Sequence, residues 1–263
     1  MINHSFAVMA YKDSPFLSEC LESLKTQTFQ SEVYISTSTP SIFIIEIAKK
    51  YDCKVFVSEP GKGIAHDWNF SLAQSKTKYV TLAHQDDLYL PDYAEKCFNA
   101  AEKFNDTLIC FTKYKETLEE NDRADTFMLR IKNLMLRFFM PLKKNLKIVF
   151  WKKLLLSTGC PISCPTVMYN RELLHGFKFS NEFAIDLDWD AWYRMTNIKG
   201  RFVFVSKVLV KHRIHAGSET SAGLNNNLRQ NEDLKMFKRI WPSFIAIIFA
   251  KLYAGSYKSN AVK

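Results

Sequence analysis

Short apolar runs alternate with segments of helical periodicity along the first hundred residues. Runs rich in β-branched and aromatic residues predict strands, and between them apolar residues recur at i, i+3, i+4 and i+7, which is typical of helices packed on a sheet. The predicted strands are 6–10, 32–35, 54–57, 79–83 and 108–111, and the predicted helical faces are 17–24, 44–51, 65–72 and 94–101. This alternation implies right-handed crossovers and a mostly parallel, Rossmann-like sheet with helices on both faces.

Local signals set some boundaries of these elements. Ser14 followed by Pro15 predicts the start of the first helix, with Ser14 as its cap, and the second helix is predicted to begin beyond Pro40. The second half of the chain has a less regular pattern. It predicts a strand over 163–169, a helix over 188–196, two strands over 201–206 and 208–212, and a helical tail.

The middle of the chain is basic and apolar. No acidic residue occurs between Asp125 and Glu172, whereas eight Lys and Arg residues from Arg130 to Lys153 alternate with apolar ones. The segment 125–160 is therefore predicted to be a basic amphipathic helical insertion. Either it lies in an anionic membrane interface, or it packs on the sheet and its charges face water. In the tail, 244–249 is too short to span a bilayer and fits a packed helix or an interfacial anchor.

Composition narrows the class of protein. A hydrophobic fraction of 47% excludes intrinsic disorder, and 36 Lys and Arg against 27 Asp and Glu give a net charge of +9. The six cysteines form no Cys-x-x-Cys pair, which argues against zinc-ribbon and thioredoxin-type sites and predicts buried thiols in a reducing compartment. No apolar run approaches the roughly 18–20 residues of a membrane span. We expect a cytoplasmic protein, with peripheral contact to the inner face of the plasma membrane.

Candidate chemistry lies where the predicted strands end, because ligands of open parallel sheets bind outside the carboxyl ends of the strands. Polar residues occupy four such places: 11–13, 36–39, 84–87 and 212–215. Asp86 and Asp87 are the most informative, since two neighbouring carboxylates at the end of a buried strand repel each other. A bound divalent cation would offset this repulsion, and a turn or helix cap is the alternative reason for the pair.

Several of these segments, in their order and spacing, resemble family 2 glycosyltransferases over roughly residues 5–220. The segments are 6–11 (FAVMAY), 63–69 (GIAHDWN), 79–87 (YVTLAHQDD), 187–194 (LDWDAWYR) and 213–215 (RIH). The resemblance implies a GT-A fold and an inverting enzyme that uses a nucleotide sugar. It predicts a GT-A domain over 1–225, with the insertion at 125–160, and a helical tail over 226–263.

The resemblance also implies roles for individual residues. Asp86 and Asp87 match the acids that hold Mn²⁺ or Mg²⁺ against the diphosphate of the donor, and Asp188 matches the general base for the acceptor hydroxyl. His215 matches a histidine that approaches the metal or the diphosphate, and Tyr11 matches an aromatic residue near the nucleotide base. The full predicted set of donor contacts is Ala10, Tyr11, Thr37, Asn69, Asp86 and Arg213, and the predicted metal ligands are Asp86, Asp87 and His215.

Three positions depart from the family pattern. Residues 36–39 (STST) replace the usual aspartates after the second strand, His84 stands where the first acid of the metal motif is common, and Leu187 replaces a glutamate. The first departure removes the residues that, in the family, bind the uracil or the ribose. The nucleotide therefore stays open, with a UDP-sugar as first choice.

Physical reasoning narrows the roles further. A departing diphosphate requires positive charge, and a displacement at the anomeric carbon requires a base within reach of the acceptor hydroxyl. Asp186, Asp188 and Asp190 compete for the role of base. Asp190 can pair with Arg194 four residues later, and Asp186 is either a loop residue or a helix cap, which leaves Asp188 as the best candidate.

The two late histidines are three residues apart. In strand geometry His212 and His215 point to opposite faces, so only one is expected to face the site, and His215 is the choice. Trp189, Trp192 and Tyr193 are interpreted as core residues at helical spacing.

The predicted function is transfer of a sugar from a nucleoside diphosphate sugar to a saccharide or lipid-linked acceptor in the biosynthesis of cell-surface polysaccharide. The alternative is a basic protein that binds membrane surfaces or nucleic acid on a degenerate glycosyltransferase scaffold. The chain carries no recognised nucleic-acid-binding module, so nucleic acid is not the expected partner. A nucleotidyltransferase would need a glycine-rich loop near the first strand, and residues 11–15 (YKDSP) contain no glycine.

Overall fold

A mixed β-sheet forms the centre of the structure, a computed structural model that describes residues 2–118, 121–140, 144–215 and 228–254. The strands are β1 (His4–Ala10), β2 (Glu32–Thr37), β3 (Lys54–Val57), β4 (Tyr79–His84), β5 (Leu88–Tyr89), β6 (Thr107–Leu118), β7 (Asn121–Asp122), β8 (Asn145–Leu146), β9 (Val167–Asn170) and β10 (Arg201–Ile214). The helices are α1 (Leu17–Lys25), α2 (Ile42–Lys50), α3 (Ile64–Gln74), α4 (Tyr93–Ala101), α5 (Phe127–Phe139), α6 (Val149–Leu155), α7 (Leu187–Met195), α8 (Leu228–Ile240) and α9 (Ser243–Ala254).

The strand order is β3-β2-β1-β4-β9-β6-β10-β5, with β7 paired to β6 and β8 to β10. Strands β3, β2, β1 and β4 run parallel, as do β6 and β10. Strand β9 is antiparallel to both of its neighbours and joins the two parallel groups. The expected α/β fold with a mostly parallel sheet is confirmed.

Alternating side chains along each strand enter two cores on opposite faces of the sheet. On β1, Phe6 and Val8 join the core beneath α1, α2 and α4, whereas Ala7 joins the core beneath α3, α7 and the C-terminal helices. On β4, Leu82 joins the same core as Ala7, and Ala83 joins the same core as Phe6 and Val8. This two-residue period, with apolar residues on both sides, is why the strands are continuous apolar runs in the sequence.

The sequence misplaced the start of the first helix. Helix α1 begins at Leu17, and its preceding residue, Phe16, makes no side-chain capping bond. Ser14 instead forms a turn, because its carbonyl accepts from the Leu17 N–H (3.3 Å) and its hydroxyl from the Phe16 N–H (3.3 Å). The predicted cap at Ser14 with Pro15 as first helical residue is therefore wrong. Helix α2 does begin just beyond Pro40, with Ser41 as a cap that accepts from the Ile44 N–H.

Two predicted strands are a single one in the structure. Strand β10 continues through 206–207 with irregular pairing to β6 near Val205 and Val208, so 201–206 and 208–212 are two halves of one element. The strand predicted over 163–169 starts only at Val167, after a 3₁₀ turn (Cys164–Thr166) that contains Pro165. Proline lacks the N–H that a central strand needs, which explains the later start.

The basic insertion is helical, as expected, and consists of α5 and α6 with the short β8 between them. The tail contributes α8 and α9, while the predicted boundary at 225/226 falls among residues that the structure does not describe. In the described part of the chain, every helix is too short or too polar to cross a bilayer.

Candidate functional site

The carboxyl ends of β1, β2 and β4 lie side by side and define the candidate site. The register pairs Ala10 with Thr37 and Met9 with His84, so these strands end at one level of the sheet. Asp86 and Asp87 follow β4 directly, and the end of β10 meets them from the other side. The edge is therefore built from segments that lie more than a hundred residues apart.

Asp87 is fully buried and tied to β10. Its Oδ1 lies 2.8 Å from His212 Nδ1 and accepts from the Arg213 backbone N–H at 3.0 Å. Burial alone would lower the pKa of His212, but the Asp87 carboxylate raises it to about 9. His212 is therefore a cation at neutral pH, and the charge of Asp87 is balanced inside the protein.

Asp86 is more accessible than its neighbour, with 18% of its side chain exposed. Its Oδ2 lies 2.8 Å from His215 Nε2. Burial alone would raise the pKa of Asp86, but the hydrogen bond to His215 and the charges of His84 and His212 lower it below its ordinary value. Asp86 is therefore an anion, and it is the more accessible of the two acids.

His84 completes a cluster that fits a divalent cation. One ligand atom each from His84, Asp86 and Asp87 lie within 4.8 Å of one another. His84 Nε2 and Asp87 Oδ2 are buried, and neither atom forms a hydrogen bond with the described residues. Buried polar atoms are normally paired, so these two orphaned atoms are consistent with a site for an ion. The carboxylates suit Mn²⁺ or Mg²⁺.

The sequence wrongly limited this site to one of the two late histidines. The prediction assumed that both histidines lie in one strand, where side chains alternate between the two faces. Strand β10 ends at Ile214, so His215 lies outside the strand and does not follow this alternation. Both histidines reach the acids: His212 contacts Asp87 and His215 contacts Asp86.

The Arg213 side chain connects three parts of the chain: β10, the turn at Asp86 and the region of α1. Its side chain is only 4% exposed, pairs with Glu19 of α1 and donates from Nε to the Asp86 carbonyl at 3.1 Å. The guanidinium also lies over the Phe16 ring, 4.3 Å from its centroid. These contacts hold the turn at Asp86 against β10, and a direct contact of Arg213 with the donor stays a prediction.

Asp188 lies in the first turn of α7, in a poorly solvated environment. Burial raises its pKa, and the positive charge of Lys132 partly opposes this rise. Its Oδ1 accepts from the Trp189 N–H at 2.7 Å. His84 also acts on the pKa of Asp188, so the candidate base and the cluster at the end of β4 share a neighbour. A raised pKa makes the carboxylate a stronger base.

The two competing acids lie in different environments. Asp190 pairs with Arg194 (2.8 Å), as the sequence predicted, and also with Arg239. Asp186 precedes α7 without a side-chain capping bond, and burial together with Asp233 raises its pKa. Asp233, on α8, is also buried, and its pKa is raised to about 6. The choice of Asp188 as the base among the three acids stays a prediction.

The loop before α7 is anchored from the tail, which the sequence did not suggest. Glu232 of α8 accepts hydrogen bonds from the backbone N–H groups of Ala184 (2.8 Å), Ile185 (2.8 Å) and Asp186 (3.0 Å). A carboxylate that accepts several backbone N–H groups makes strong, charge-assisted bonds. Glu232 therefore fixes the entry to the helix that carries Asp188.

The predicted donor contacts lie in two places. Tyr11 is 48% exposed at the end of β1, and both its N–H (3.0 Å) and its carbonyl (2.9 Å) are paired with the Gln85 side chain. Ala10 and Thr37 are buried at the same edge. Asn69 lies elsewhere, because its amide pairs with the N–H and carbonyl of Phe179 at 2.8 and 2.9 Å.

Aromatic residues of α7 belong to the core. Trp189 and Trp192 are fully buried, and their indole N–H groups donate to the carbonyls of Leu156 (3.0 Å) and Ile162 (3.2 Å). The cysteines are free, and all except the half-buried Cys53 are buried. Neither group provides a sugar platform or a metal site in the described residues.

Comparison with known proteins identifies the class that this fold and site define. Residues 5–173 match the family model described as "Glycosyl transferase family 2", and the chain belongs to this family. It is similar to an uncharacterized glycosyltransferase of Rickettsia typhi (23% identity, covering 92% of this chain and 71% of the relative). Another relative is an uncharacterized glycosyltransferase of Methanocaldococcus jannaschii (25% identity, covering 79% and 69%).

Solved structures share the GT-A fold. S. aureus TarS 1–349 superimposes with a TM-score of 0.63 at 16% identity, over 89% of this chain and 64% of that one. The mannosyltransferase PcManGT from Pyrobaculum calidifontis, in complex with GDP-Man and Mn²⁺, gives a TM-score of 0.62 at 15% identity, over 95% and 69%. The chain spans only 39% of the longer TarS chain. The protein is thus a family 2 glycosyltransferase, and at these identities the structures establish the fold.

Replacement of Asp87 by alanine is expected to destabilise the protein far more than the same replacement of Asp86. Asp87→Ala removes the fully buried acceptor of the half-buried His212 cation and of the Arg213 N–H, and breaking a buried ion pair costs about 3–5 kcal/mol. Asp86→Ala removes a more accessible group, for which about 1 kcal/mol is expected. Urea unfolding of both variants measures the difference. Equal losses of unfolding free energy would show that Asp87 is not the structural member of the pair.

Proposed function

We propose that the protein transfers a sugar, with inversion, from a nucleoside diphosphate sugar to a saccharide or lipid-linked acceptor. The observation that carries the proposal is the cluster of His84, Asp86 and Asp87 at the end of β4, with His215 in contact with Asp86 and the charge of His84 acting on the pKa of Asp188. Complexes of similar folds support the donor class: TarS has been crystallised with UDP-GlcNAc and with UDP, and PcManGT with GDP-Man. A UDP-sugar remains the first choice.

Asp86, Asp87 and His215 are proposed to hold Mn²⁺ or Mg²⁺, and His84 is a further candidate ligand from the structure. The ion would supply positive charge against the departing diphosphate. The protein contributes positive charge of its own at this place. His212 is cationic, and the Arg213 guanidinium fixes the backbone of Asp86 from the side of α1.

Asp188 is proposed to accept the proton of the acceptor hydroxyl as its oxygen attacks the anomeric carbon. The new carbon–oxygen bond forms while the bond to the nucleoside diphosphate breaks, and the electron pair leaves with the diphosphate. Burial of Asp188 supports this role, because a carboxylate that is poorly solvated binds a proton more readily. Glu232 keeps the approach to Asp188 in place through three backbone bonds.

A thermal-shift panel of UDP-, GDP-, dTDP- and CMP-sugars, each with and without Mn²⁺, tests the donor. A ligand at a hundredfold excess over its Kd adds about 2.7 kcal/mol to the stability of the folded state, so the matching donor with Mn²⁺ is expected to raise the melting temperature clearly. Asp86→Asn is the control and is expected to lose the Mn²⁺-dependent part of the shift. No shift with any donor would refute the proposal.

Asp188→Asn is expected to lower kcat by about 10²–10⁴-fold, the usual contribution of a general base. The carboxylate must be deprotonated to act, so the activity of the wild type should fall as the pH drops through the pKa of Asp188. That pKa lies above the ordinary value of 3.8. Steady-state rates from acidic to neutral pH measure both effects. Asp186→Asn is the matched control, and a larger loss in that variant would assign the base to Asp186.

The proposed cellular role is based on the resemblance to family 2 glycosyltransferases and on exposed apolar residues at the protein surface. We propose that the enzyme works in the biosynthesis of cell-surface polysaccharide, at the cytoplasmic face of the plasma membrane. Helix α5 presents Phe127, Leu134 and Phe138 to solvent, each at least 65% exposed. At i, i+7 and i+11 they form one stripe, flanked by Arg130 and Arg137. An apolar stripe beside cations is suited to an anionic membrane interface.

Helix α9 carries a second outward apolar face. Phe244, Ile248 and Leu252 are 69%, 57% and 71% exposed, with Lys251 between them. Neither α5 nor α9 contains an acidic residue. These two faces support peripheral membrane contact.

The protein is expected to float with phosphatidylglycerol vesicles and not with phosphatidylcholine vesicles, and salt should weaken the association. Leu134→Ser with Phe138→Ser should reduce the bound fraction at least tenfold, because burial of such side chains is worth about 1.5–3 kcal/mol each. The matched control is Ile42→Ser with Ile45→Ser on α2, which are also more than half exposed and lie outside this face. Equal binding by the two double variants would exclude α5 as the contact.

A further inference from the structure

An apolar cavity lies between the basic insertion and the C-terminal tail. It has a volume of about 220 Å³ and is lined by α5, by 158–160 and by α9. Met128, Ile131 and Met135 form one wall, and Phe249, Leu252 and Tyr253 form the other. Apolar cavities of roughly 150 Å³ already bind a molecule the size of benzene, so this one is large enough for a segment of hydrocarbon chain.

The cavity opens onto the two exposed apolar faces. Phe127 and Leu252 line it and are also 66% and 71% exposed, so they form its rim. Phe127 belongs to the stripe on α5, and Leu252 belongs to the face on α9. A hydrocarbon chain can therefore pass from a lipid surface into the cavity along continuous apolar side chains, without crossing water.

A single cation lines the described part of this cavity. Lys132 is half-buried, and its Nζ donates to the Tyr114 hydroxyl at 3.4 Å. Among residues 2–118, 121–140, 144–215 and 228–254, no carboxylate lies within 4.0 Å of its ammonium group. The charge of Lys132 lowers the pKa of Asp188, but the ammonium group has no directly bonded anionic partner among the described residues. An anion at the inner end of the cavity would provide that partner.

The inner end of the cavity lies towards the candidate active site. Tyr114, whose hydroxyl accepts from Lys132, has its ring centroid 6.0 Å from that of His212, and His212 contacts Asp87. Burial and the charge of Asp188 raise the pKa of Cys160, which lines the cavity. Gly159 beside it allows Tyr253 to pack closely, since a Cβ at that position would lie 2.8 Å from the tyrosine ring.

We propose that this cavity binds the hydrocarbon chain of an anionic lipid acceptor, with Lys132 paired to the anionic group of its head. The proposal rests on the transferase activity proposed above and names the acceptor class. The head group carries a hydroxyl, whose oxygen forms the new bond to the anomeric carbon while its proton passes to Asp188. The nucleoside diphosphate leaves with the electron pair of the broken bond.

Isothermal titration calorimetry with three probes tests the chain and the charge separately. Medium-chain lysophosphatidylglycerol has one chain, a phosphate and free hydroxyls. Glycerophosphoglycerol lacks the chain, and lysophosphatidylcholine lacks the net charge. Lysophosphatidylglycerol is expected to bind at least tenfold more tightly than either of the others. Equal affinity for glycerophosphoglycerol would overturn the assignment of the cavity to a chain.

Matched variants locate the binding. Met135→Trp fills the cavity and should weaken the binding of lysophosphatidylglycerol more than tenfold, whereas Leu134→Trp makes the same change one residue away on the exposed stripe and should alter it less than twofold. Ile131→Phe is a second filling variant, used if Met135→Trp melts at a lower temperature. Lys132→Met should remove the preference for the anionic head. Unchanged binding in both filling variants would refute the proposal.

The position of the head group is measured without turnover. Mn²⁺ at Asp86 should broaden the NMR signals of the head-group protons more than that of the terminal methyl group, and Asp86→Asn should abolish this effect. Stronger broadening of the methyl group would place the lipid the wrong way round and overturn its role as acceptor. A failed donor panel would instead refute the proposed function, while the calorimetry still decides whether the cavity binds a chain.

Discussion

The pairing of Asp86 and Asp87 with the end of β10 is the interaction on which the site depends. Two carboxylates after a buried strand are unstable together unless positive charge meets them, and the chain supplies it from a segment more than 120 residues later. His212 balances the buried acid and His215 contacts the more accessible one. The charge balance thus closes the edge of the sheet and leaves one oxygen of Asp87 unpaired beside the more accessible Asp86.

Much of the fold could be predicted because its signals are local. The apolar runs and helical periods of the first hundred residues correspond to β1–β4 and α1–α4, and the neighbouring acids after β4 pointed to the right edge of the sheet. Helix boundaries were harder to predict where the same residues can form either a helix start or a turn. Ser14 and Pro15 have the composition of a helix start, yet the backbone closes a turn there before α1 begins.

The errors at the site arise from contacts between distant segments. The prediction that His212 and His215 point to opposite faces holds only if β10 continues through both residues, and the strand ends between them. Glu232 and Glu19 have no local motif, because each acts on backbone or side chains that the fold brings to it from elsewhere. His84 was noted as a departure from the family pattern, and its role as a potential ligand emerges only from its distance to the two acids.

The match to the family ends at residue 173, and this limit divides the site along the chain. The acids after β4 lie inside the matched part, whereas Asp188, His212 and the Glu232 anchor lie beyond it. The cluster at the end of β4 nevertheless depends on both parts of the chain, because the histidines that contact Asp86 and Asp87 come from the later part. A substitution at His212 or His215 can therefore change the electrostatic environment of the two acids while every residue of the matched part stays the same.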